Sequence, residues 1–541
     1  MALATFVASV ESQVAAERAP QTARRQDTRF AIAAIGLLTL LAVAIGGYHP
    51  YAEDGGLYLA GIKRLLHPGL YPQGTEFVLE PTRLSMFAPF VAGTVRLTHL
   101  GLPIVVFLLH IASIAATLST AWLLAGRCWR PRSARLGAVA LLACWLSLPV
   151  AGTALSLMDP YLTARSFSTP ASVLALLGAL DAGNLATTVS RRRRGFILWM
   201  CSLMLAFVMH PLMASYALAA TLLLTCFGAT RRSTRVWGVS AFVAGAPLLA
   251  ASVQTAASPE SSGYARIAMT RTYWFPAEWH WYELLGLAAP LALLAVAGWA
   301  TSRRRLPNAA ENADATARRQ LIAMAIALGS TAWLVAEIFA RSGSANHLVA
   351  RVQPLRAFHI VYIVMTLVLG AAAGEYLLKQ TAWRWAASVV VLGGIMFATQ
   401  QDVFPNSGHV EFPGRQPRNQ WVRAFEWIRD NTPKDALFAL DADYINAPGE
   451  DAQCFRAIAE RSALPDYSKD GGEASIAPDL ASAWSIGQAA QQKLRAPATT
   501  DGQRIVSLGP LGVSWVVLDA SAKTAFDCPY KNSAAKVCRL P

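Results

Sequence analysis

The chain has 541 residues, of which 54% are hydrophobic and only 15% charged, and its mean hydropathy is +0.36. A soluble protein averages about 25% charged residues, so burial in a bilayer is the simplest account of this composition. The net charge of +14 would suit nucleic acid, but the basic residues gather at the ends of apolar runs and form no stripe interleaved with aromatics, which argues against that class of partner.

Residues 1–29 read as a cytoplasmic tail, polar and carrying Arg24, Arg25 and Arg29, without the cleavage site of a removed signal peptide. Cationic loops stay inside during insertion, so each later cluster marks an inner loop. These are Arg127/Arg130/Arg132/Arg135, Arg191 to Arg194, Arg231/Arg232/Arg235, Arg303 to Arg305 with Arg318 and Arg319, and Lys379/Arg384. Residues 30–47 lead outward, about 20 apolar residues being enough to span. Counting 84–98 as a span would place the Arg127–Arg135 cluster outside. Residues 48–101 are therefore read as an outer loop with interfacial helices, and 102–126 as the second span. Spans 136–155 and 169–189 flank an outer loop at 156–168, and 195–211 and 213–229 turn at His210–Pro211. Spans 236–252 and 283–301 flank an outer loop at 253–282. A polar inner loop, 306–317, holds Asn308, Glu311 and Asp314. Spans 320–339 and 358–378 flank an outer loop at 340–357, and 384–401 exits last. About 11 spans, an odd number, put everything after Asp402 outside.

Residues 402–541 change character: charges of both signs balance, apolar runs shorten, and helix and strand patterns alternate. Trp421, Phe425 and Ile428 recur at helical spacing before Asn431-Thr432-Pro433, a stop signal, so Trp421–Asp430 is predicted helical. Ala436–Leu440 and Val513–Leu518 are predicted to be short buried strands. The fold class is thus a polytopic α-helical membrane protein with a small C-terminal α/β extracytoplasmic domain, about 140 residues being enough to fold alone. Of the seven cysteines, Cys128, Cys144, Cys201 and Cys226 lie in or beside apolar segments, where a thiol behaves as a small hydrophobe. Cys454, Cys528 and Cys538 lack metal-ligand spacing. Cys528 and Cys538 could close the tail in an oxidising compartment, with the third cysteine leaving the pairing open.

Chemistry concentrates in the outer loops. The first opens Tyr48-His49-Pro50-Tyr51-Ala52-Glu53-Asp54-Gly55-Gly56. Acids at the membrane edge are costly unless solvated or paired, and they commonly mark function. A carboxylate beside apolar surface is expected to have the raised basicity of a general base. The plainer reading is a helix cap with Gly55-Gly56 as its turn. The second loop brings Asp159 and Arg165 together, as part of a site or as a bridge between helix ends, and exposed bridges stabilise little. The loop at 340–357 carries Arg341, His347, Arg351 and Arg356 against the positive-inside bias. An anionic headgroup is the natural reason, because arginine matches phosphate oxygens bidentately. Loop 253–282 adds Arg266 and Arg271 with Tyr273, Trp274, Trp279 and Trp281, aromatics that suit an interface belt or stacking on a sugar. His210, before a proline at an outer turn, reads as a helix-end residue. No P-loop or dinucleotide fingerprint is present, which argues against ATP-driven transport.

In this arrangement the chain resembles the GT-C-type integral membrane glycosyltransferases that use polyprenyl-phosphate sugars. The resemblance rests on acids just after the first span, a large first outer loop, the span count, the outer α/β domain and the Trp-Ile-Arg-Asp-Asn-Thr-Pro phrase ending at Pro433. The stretch from Asp159 to Arg165 resembles a group of bacterial polytopic proteins. The resemblance implies that Asp54 or its neighbour Glu53 is the catalytic base, Asp159 the second-loop acid, and Arg351 or Arg356 the holder of the donor phosphate. Arg165, Arg266, Arg271 and His347 complete the candidate binding residues. It also implies a lipid-linked sugar donor, an extracytoplasmic acceptor and a single inverting displacement at the anomeric carbon. No metal ligands are named, and a divalent metal stays open. The expected setting is a bacterial inner membrane, with a cytoplasmic N-terminus and a periplasmic C-terminal domain among membrane lipids. An oligosaccharide ligase or polymerase would be a variant of the same chemistry. A transporter or flippase predicts internal repeats and Gly/Pro-broken spans in matching halves, which the sequence does not display. A non-catalytic membrane scaffold for envelope assembly predicts that Asp54, Asp159 and Arg356 share no cavity.

Overall fold

The computed structural model describes residues 26–541 apart from 185–187, 230, 304–308 and 496–498. Residues 1–25 of the expected tail, and Asn308 of the expected inner loop, lie outside that description. In chain order the helical body comprises α1 (Gln26–Gly46), α2 (Glu53–Leu66), α3 (Thr75–Arg83), α4 (Phe87–Thr98), α5 (Leu102–Cys128), α6 (Arg132–Cys144), α7 (Arg165–Gly183) and α8 (Val189–Met209). It continues through α9 (Pro211–Gly228), α10 (Arg232–Ala256), the short α11 (Ser262–Met269), α12 (Trp281–Arg303), α13 (Ala309–Phe339), α14 (Leu348–Arg351), α15 (Phe358–Ala372) and α16 (Ala382–Val403).

Among the described residues eight helices are long and apolar enough to cross a membrane: α1, α5, α9, α10, α12, α13, the stretch containing α14 and α15, and α16. The three remaining expected spans are helical but of another kind. α7 is rich in Ser and Thr and is buried along most of its length among α5, α8 and α9, so its own side chains need not be apolar. α8 carries Arg191 to Arg194 in its first turns. α6 is only 13 residues long and stops at Cys144, short of the expected 155. Beyond it the chain folds into a hairpin that buries Val150, Thr153, Leu155 and Leu157, with Val150 N–H donating to Leu155 O (2.7 Å) and Leu157 N–H to Leu148 O (3.1 Å). Non-helical backbone at such depth is tolerated where protein surrounds it and its own hydrogen bonds close. Pro149 cannot extend a helix, and Gly152 lies so close to Trp279 that a Cβ would stand 2.7 Å from the indole.

The basic clusters converge at one end of this body. Asp181 on α7 accepts from Arg127 (2.8 Å) and Arg191 (3.3 Å), Arg130 pairs with Asp314 (2.6 Å), and Arg132 with Asp27 (2.8 Å). Loops far apart in sequence therefore share a side, as the positive-inside rule asks of them.

After α16 come α17 (Gln420–Asn431), β1 (Leu437–Ala439), α18 (Phe455–Ala459), β2 (Ser462–Ala463), α19 (Lys469–Ile476), α20 (Ala481–Arg495), α21 (Asp501–Leu508), β3 (Trp515–Asp519), β4 (Tyr530–Lys531) and β5 (Ala535–Arg539). The strands form one sheet in the order β2-β1-β3-β5-β4, with β1, β2 and β3 parallel and β5 antiparallel to both its neighbours. Alternation along β3 sends Trp515 and Val517 to the face covered by α17, and Val516 and Leu518 to a second core with Leu494 and Leu508. Cys528 and Cys538 are disulfide-bonded, and Cys454 is free and buried.

This C-terminal domain is seated on the segment between α1 and α2 through backbone. Tyr48 bridges Val410, Ala52 bridges Gln453, and Cys454 N–H donates to Tyr51 O (2.9 Å).

Candidate active site

The loop after α1 is held on two sides before it turns into α2. His49 N–H donates to Pro160 O (2.8 Å), which joins the first outer loop to the second. Glu53 has φ 51°, a left-handed conformation uncommon for residues with a side chain, and its N–H donates to Ala452 O (2.8 Å) in the C-terminal domain. The turn delivers Glu53 and Asp54 to the first turn of α2, where the helix dipole favours negative charge. Gly55 and Gly56 lie inside the helix and do not form the turn expected of them. Both allow close approach: a Cβ on Gly55 would stand 2.8 Å from the Tyr161 Cβ, and one on Gly56 would overlap Cys454 and the Tyr51 carbonyl.

Asp54 is the hub of a charge network that three separate segments build. Its Oδ2 accepts from Arg165 Nη2 (3.1 Å), and the same nitrogen donates to Asp159 Oδ2 (2.8 Å). Its Oδ1 accepts from Lys469 Nζ (3.0 Å), and Lys469 also pairs with Glu53. Lys469 begins α19 of the C-terminal domain, so the domain supplies a charge to this network. That helix is anchored from beneath. Asp466 Oδ1 accepts the Lys469 and Asp470 amides, and Asp470 takes a double hydrogen bond from the buried Arg456.

Arg356 reaches the same place from the loop before α15. Gln353, at φ 51°, turns the chain, and the Tyr216 hydroxyl of α9 donates to the Gln353 carbonyl (3.0 Å). Arg356 lies in the electrostatic surroundings of Asp54, and the Tyr58 hydroxyl on α2 feels Arg165, Asp54, Glu473 and Arg356 together. Among the described residues no carboxylate pairs with Arg356, and its Nε is buried without a partner, as is that of Arg165.

The other candidates lie elsewhere. Arg266 on α11 is exposed. Arg271 is buried and donates to the carbonyls of Ser468 (2.6 Å) and Tyr467 (3.0 Å), fastening the turn that precedes Lys469. His347 ties its loop to the segment between α10 and α11, with Nδ1 2.7 Å from Glu260 Oε2 and Nε2 3.0 Å from the Ser342 carbonyl. Arg351 donates to the Ile476 carbonyl (3.3 Å) at the domain boundary. His210 caps α9, its Nδ1 accepting from Met213 N–H (3.4 Å), as expected of a helix-end residue.

The electrostatics reverse one expectation. Burial alone would raise the Asp54 carboxyl, but Lys469 and Arg165, the Lys469 hydrogen bond and the more distant Arg356 outweigh it. Together they hold Asp54 well below the usual carboxylate range, so the raised basicity expected there is absent. Burial likewise works against the Lys469 ammonium, and Asp54 and Glu53 overcome it and keep Lys469 protonated beyond its ordinary range. Glu473, one turn along α19, goes the other way. Burial first, then Asp54, Asp470 and Glu80, push its carboxyl up to about 8 against the pull of Lys469.

A divalent ion does not fit this arrangement. Asp54 and Asp159 hold a guanidinium between them, and no group of three or more His, Cys, Asp or Glu among the described residues could ligate a metal.

Lys469, Glu473 and Tyr58 are site residues that sequence reasoning missed. Lys469 and Glu473 lie in Ser-Lys-Asp-Gly-Gly-Glu, whose only signal is an i,i+4 pair of opposite charges on a short helix.

No family model matches this sequence, and no curated protein matches it. Solved structures it is similar to include the archaeal oligosaccharyltransferase AglB from Archaeoglobus fulgidus in complex with an inhibitory peptide and a dolichol-phosphate, at 10% identity and TM-score 0.49, covering 91% of this chain and 70% of that one. An Archaeoglobus fulgidus oligosaccharyltransferase tethered with an acceptor peptide gives 12% identity and TM-score 0.47, over 91% and 69%. The arabinofuranosyltransferase AftD from Mycobacteria gives 14% identity and TM-score 0.48, over 95% of this chain and 41% of that one. At these values the likeness is one of general outline.

Proposed function

We propose that this protein is a membrane glycosyltransferase that moves a sugar from a polyprenyl-phosphate donor to an acceptor outside the cytoplasm. The observation that carries this reading is Arg356, half-buried beside the Asp54–Arg165–Lys469 network, with its Nε buried without a partner and no carboxylate paired with it among the described residues. A cation withdrawn from water without a counter-charge is costly, and a phosphate arriving from the bilayer would supply one. Arg356, with the free edge of Arg165, would hold that phosphate and stabilise the charge it gains as the sugar leaves. Asp54 would keep Arg165 and Lys469 in place and Asp159 would fix Arg165 from the other side. The sugar would be displaced from the face opposite the phosphate, with inversion. A disulfide in the outer domain suits an oxidising compartment such as a periplasm. The charged groups gather at one end of the helices and not at their midpoint, which favours this reading over a transporter. Their convergence on Tyr58 favours it over a scaffold.

The test uses the full-length protein in nanodiscs. The donor is a lipid extract from a strain deleted for the gene, and the acceptor is that strain's envelope fraction. Release of free polyprenyl phosphate is measured. Wild type is expected to release it, and Arg356→Ala to lose on the order of 10- to 100-fold in kcat/KM, the worth of a charge-assisted contact. No release by wild type above buffer, together with an unchanged envelope-glycan profile in the deletion strain, would sink the reading.

A further inference from the structure

A displacement of this kind requires a group to take the proton of the acceptor hydroxyl, and both oxygens of Asp54 are occupied by cations. We propose that Glu473 of the outer domain is that proton acceptor, and that Asp54 is not. The proposal rests on the glycosyl-transfer reading above.

The placement follows from helix geometry. Residues four apart share a helix face. On α19 that face carries Lys469 and Glu473, and on α2 it carries Asp54 and Tyr58. Lys469 bonds Asp54, α19 packs on α2, and Glu473, one turn along, lies in the charge surroundings of both Asp54 and Tyr58. α19 also packs on α3. Glu473 is half-buried, and among the described residues its carboxyl has no hydrogen bond or ion pair, whereas Asp54 has three cations around it.

The charged groups around Glu473 are Asp54 on α2, Glu80 on α3, and Lys469 and Asp470 on its own helix. Arg271 approaches the adjacent Gly471, but it is held by the Tyr467 and Ser468 carbonyls, and Arg266 on α11 is exposed. Burial first, and then three acids against one lysine, push the Glu473 carboxyl up to about 8, near the pH at which a general base works well.

In the step itself the acceptor oxygen forms its bond to the anomeric carbon as the bond from that carbon to the phosphate oxygen breaks. The electron pair leaves with the phosphate, held by Arg356. The hydroxyl proton passes to the Glu473 carboxylate and from there to outside water. Atoms and charge balance without a further reactant.

Two measurements test this. The first is independent of turnover: the protein in nanodiscs is treated with dicyclohexylcarbodiimide, which labels protonated carboxyls in apolar surroundings, and the adducts are located by mass spectrometry. The adduct is expected on Glu473 and not on Asp54, falling as the pH rises through 8. The second is the polyprenyl-phosphate release assay across pH. Glu473→Gln is expected to lose about 10²- to 10⁴-fold in kcat, with the acid limb of the profile removed and half-saturation by the donor extract unchanged. Glu473→Asp should restore part of the rate. If Glu473→Gln turns over normally with the acid limb intact, the proposal is overturned and glycosyl transfer stands. Labelling of Asp54 in place of Glu473 overturns it as well. No release by wild type, together with an unchanged envelope-glycan profile in the deletion strain, removes both readings together.

Discussion

The helical body and the outer domain each bring carboxylates to the same cleft, and they treat them in opposite ways. The body sets Arg165 between Asp54 and Asp159, and Lys469 of the domain adds a second cation to Asp54, so both carboxylates are held by charged partners. The domain pins Asp470 under α19 with Arg456 and then presents Glu473 one turn above it with no partner among the described residues. A site assembled in this way separates two tasks. Paired groups hold geometry, because their charges are satisfied and their side chains have one low-energy arrangement. An unpaired carboxyl in a half-buried place is unsettled in charge, and that is what proton transfer needs.

The strongest way to break the contrast is to unpair what the body has paired. Arg165→Leu leaves Asp159, at 7% side-chain exposure, as a buried charge without its partner. Such a change costs about 3–5 kcal/mol, read as a lower denaturant midpoint of the protein in detergent. Asp159→Asn on the same background should recover part of the loss, since the orphaned charge is then gone. Full stability in Arg165→Leu would mean that water or another cation already serves Asp159.

A smaller effect is expected from Lys469→Met, which removes the domain's charge from the body's acid. Asp54 keeps Arg165 but loses its largest attraction, so its carboxyl should climb toward the ordinary range. Carbodiimide labelling of Asp54, absent in wild type, should then appear, and phosphate release should fall roughly tenfold. An unlabelled Asp54 in this variant would show that Arg165 alone suffices to hold it.

How much of this was legible in the sequence divides along the same line. The helices of the body announce themselves by apolar length and flanking arginines, and Asp54, Asp159, Arg165 and Arg356 all sit where those helices emerge. Periodicity and charge bias are local signals, and they are enough to mark the apolar helices. The end of α6 at Cys144 was missed because its hairpin is apolar and buried, and by hydropathy it looks like more helix. Arg271, His347 and Arg351 were grouped with Arg356 because all are outer cations, but carbonyls and Glu260 take up the first three. Composition cannot distinguish a cation with a partner from one without. Lys469 reaches Asp54 across more than 400 residues of chain (|i−j| 415), a pairing that only the docking of the domain creates.

The mildest effect concerns pH, and it measures the contrast directly. The Glu473 carboxyl is raised from an ordinary 4.5 to about 8. Between those values the folded protein retains a proton that the unfolded chain has released, so stability falls as pH rises across that window and is level beyond it. Glu411, pushed to about 8, and Asp466, pushed to about 7, act in the same sense. Asp54 has the opposite sign. Its contribution is complete above the ordinary carboxylate range and is lost only as pH falls through its depressed folded value, outside the window. Glu473→Gln should therefore make the decline in denaturant midpoint between about pH 5 and about pH 8 shallower, while Asp54→Asn lowers the midpoint by a similar amount at both ends. A Glu473→Gln slope equal to that of wild type would mean that Glu473 is already ionised at neutral pH. The two carboxyls facing each other across α2 and α19 would then be alike, and the division between fixing and accepting would have to be sought elsewhere in the cleft.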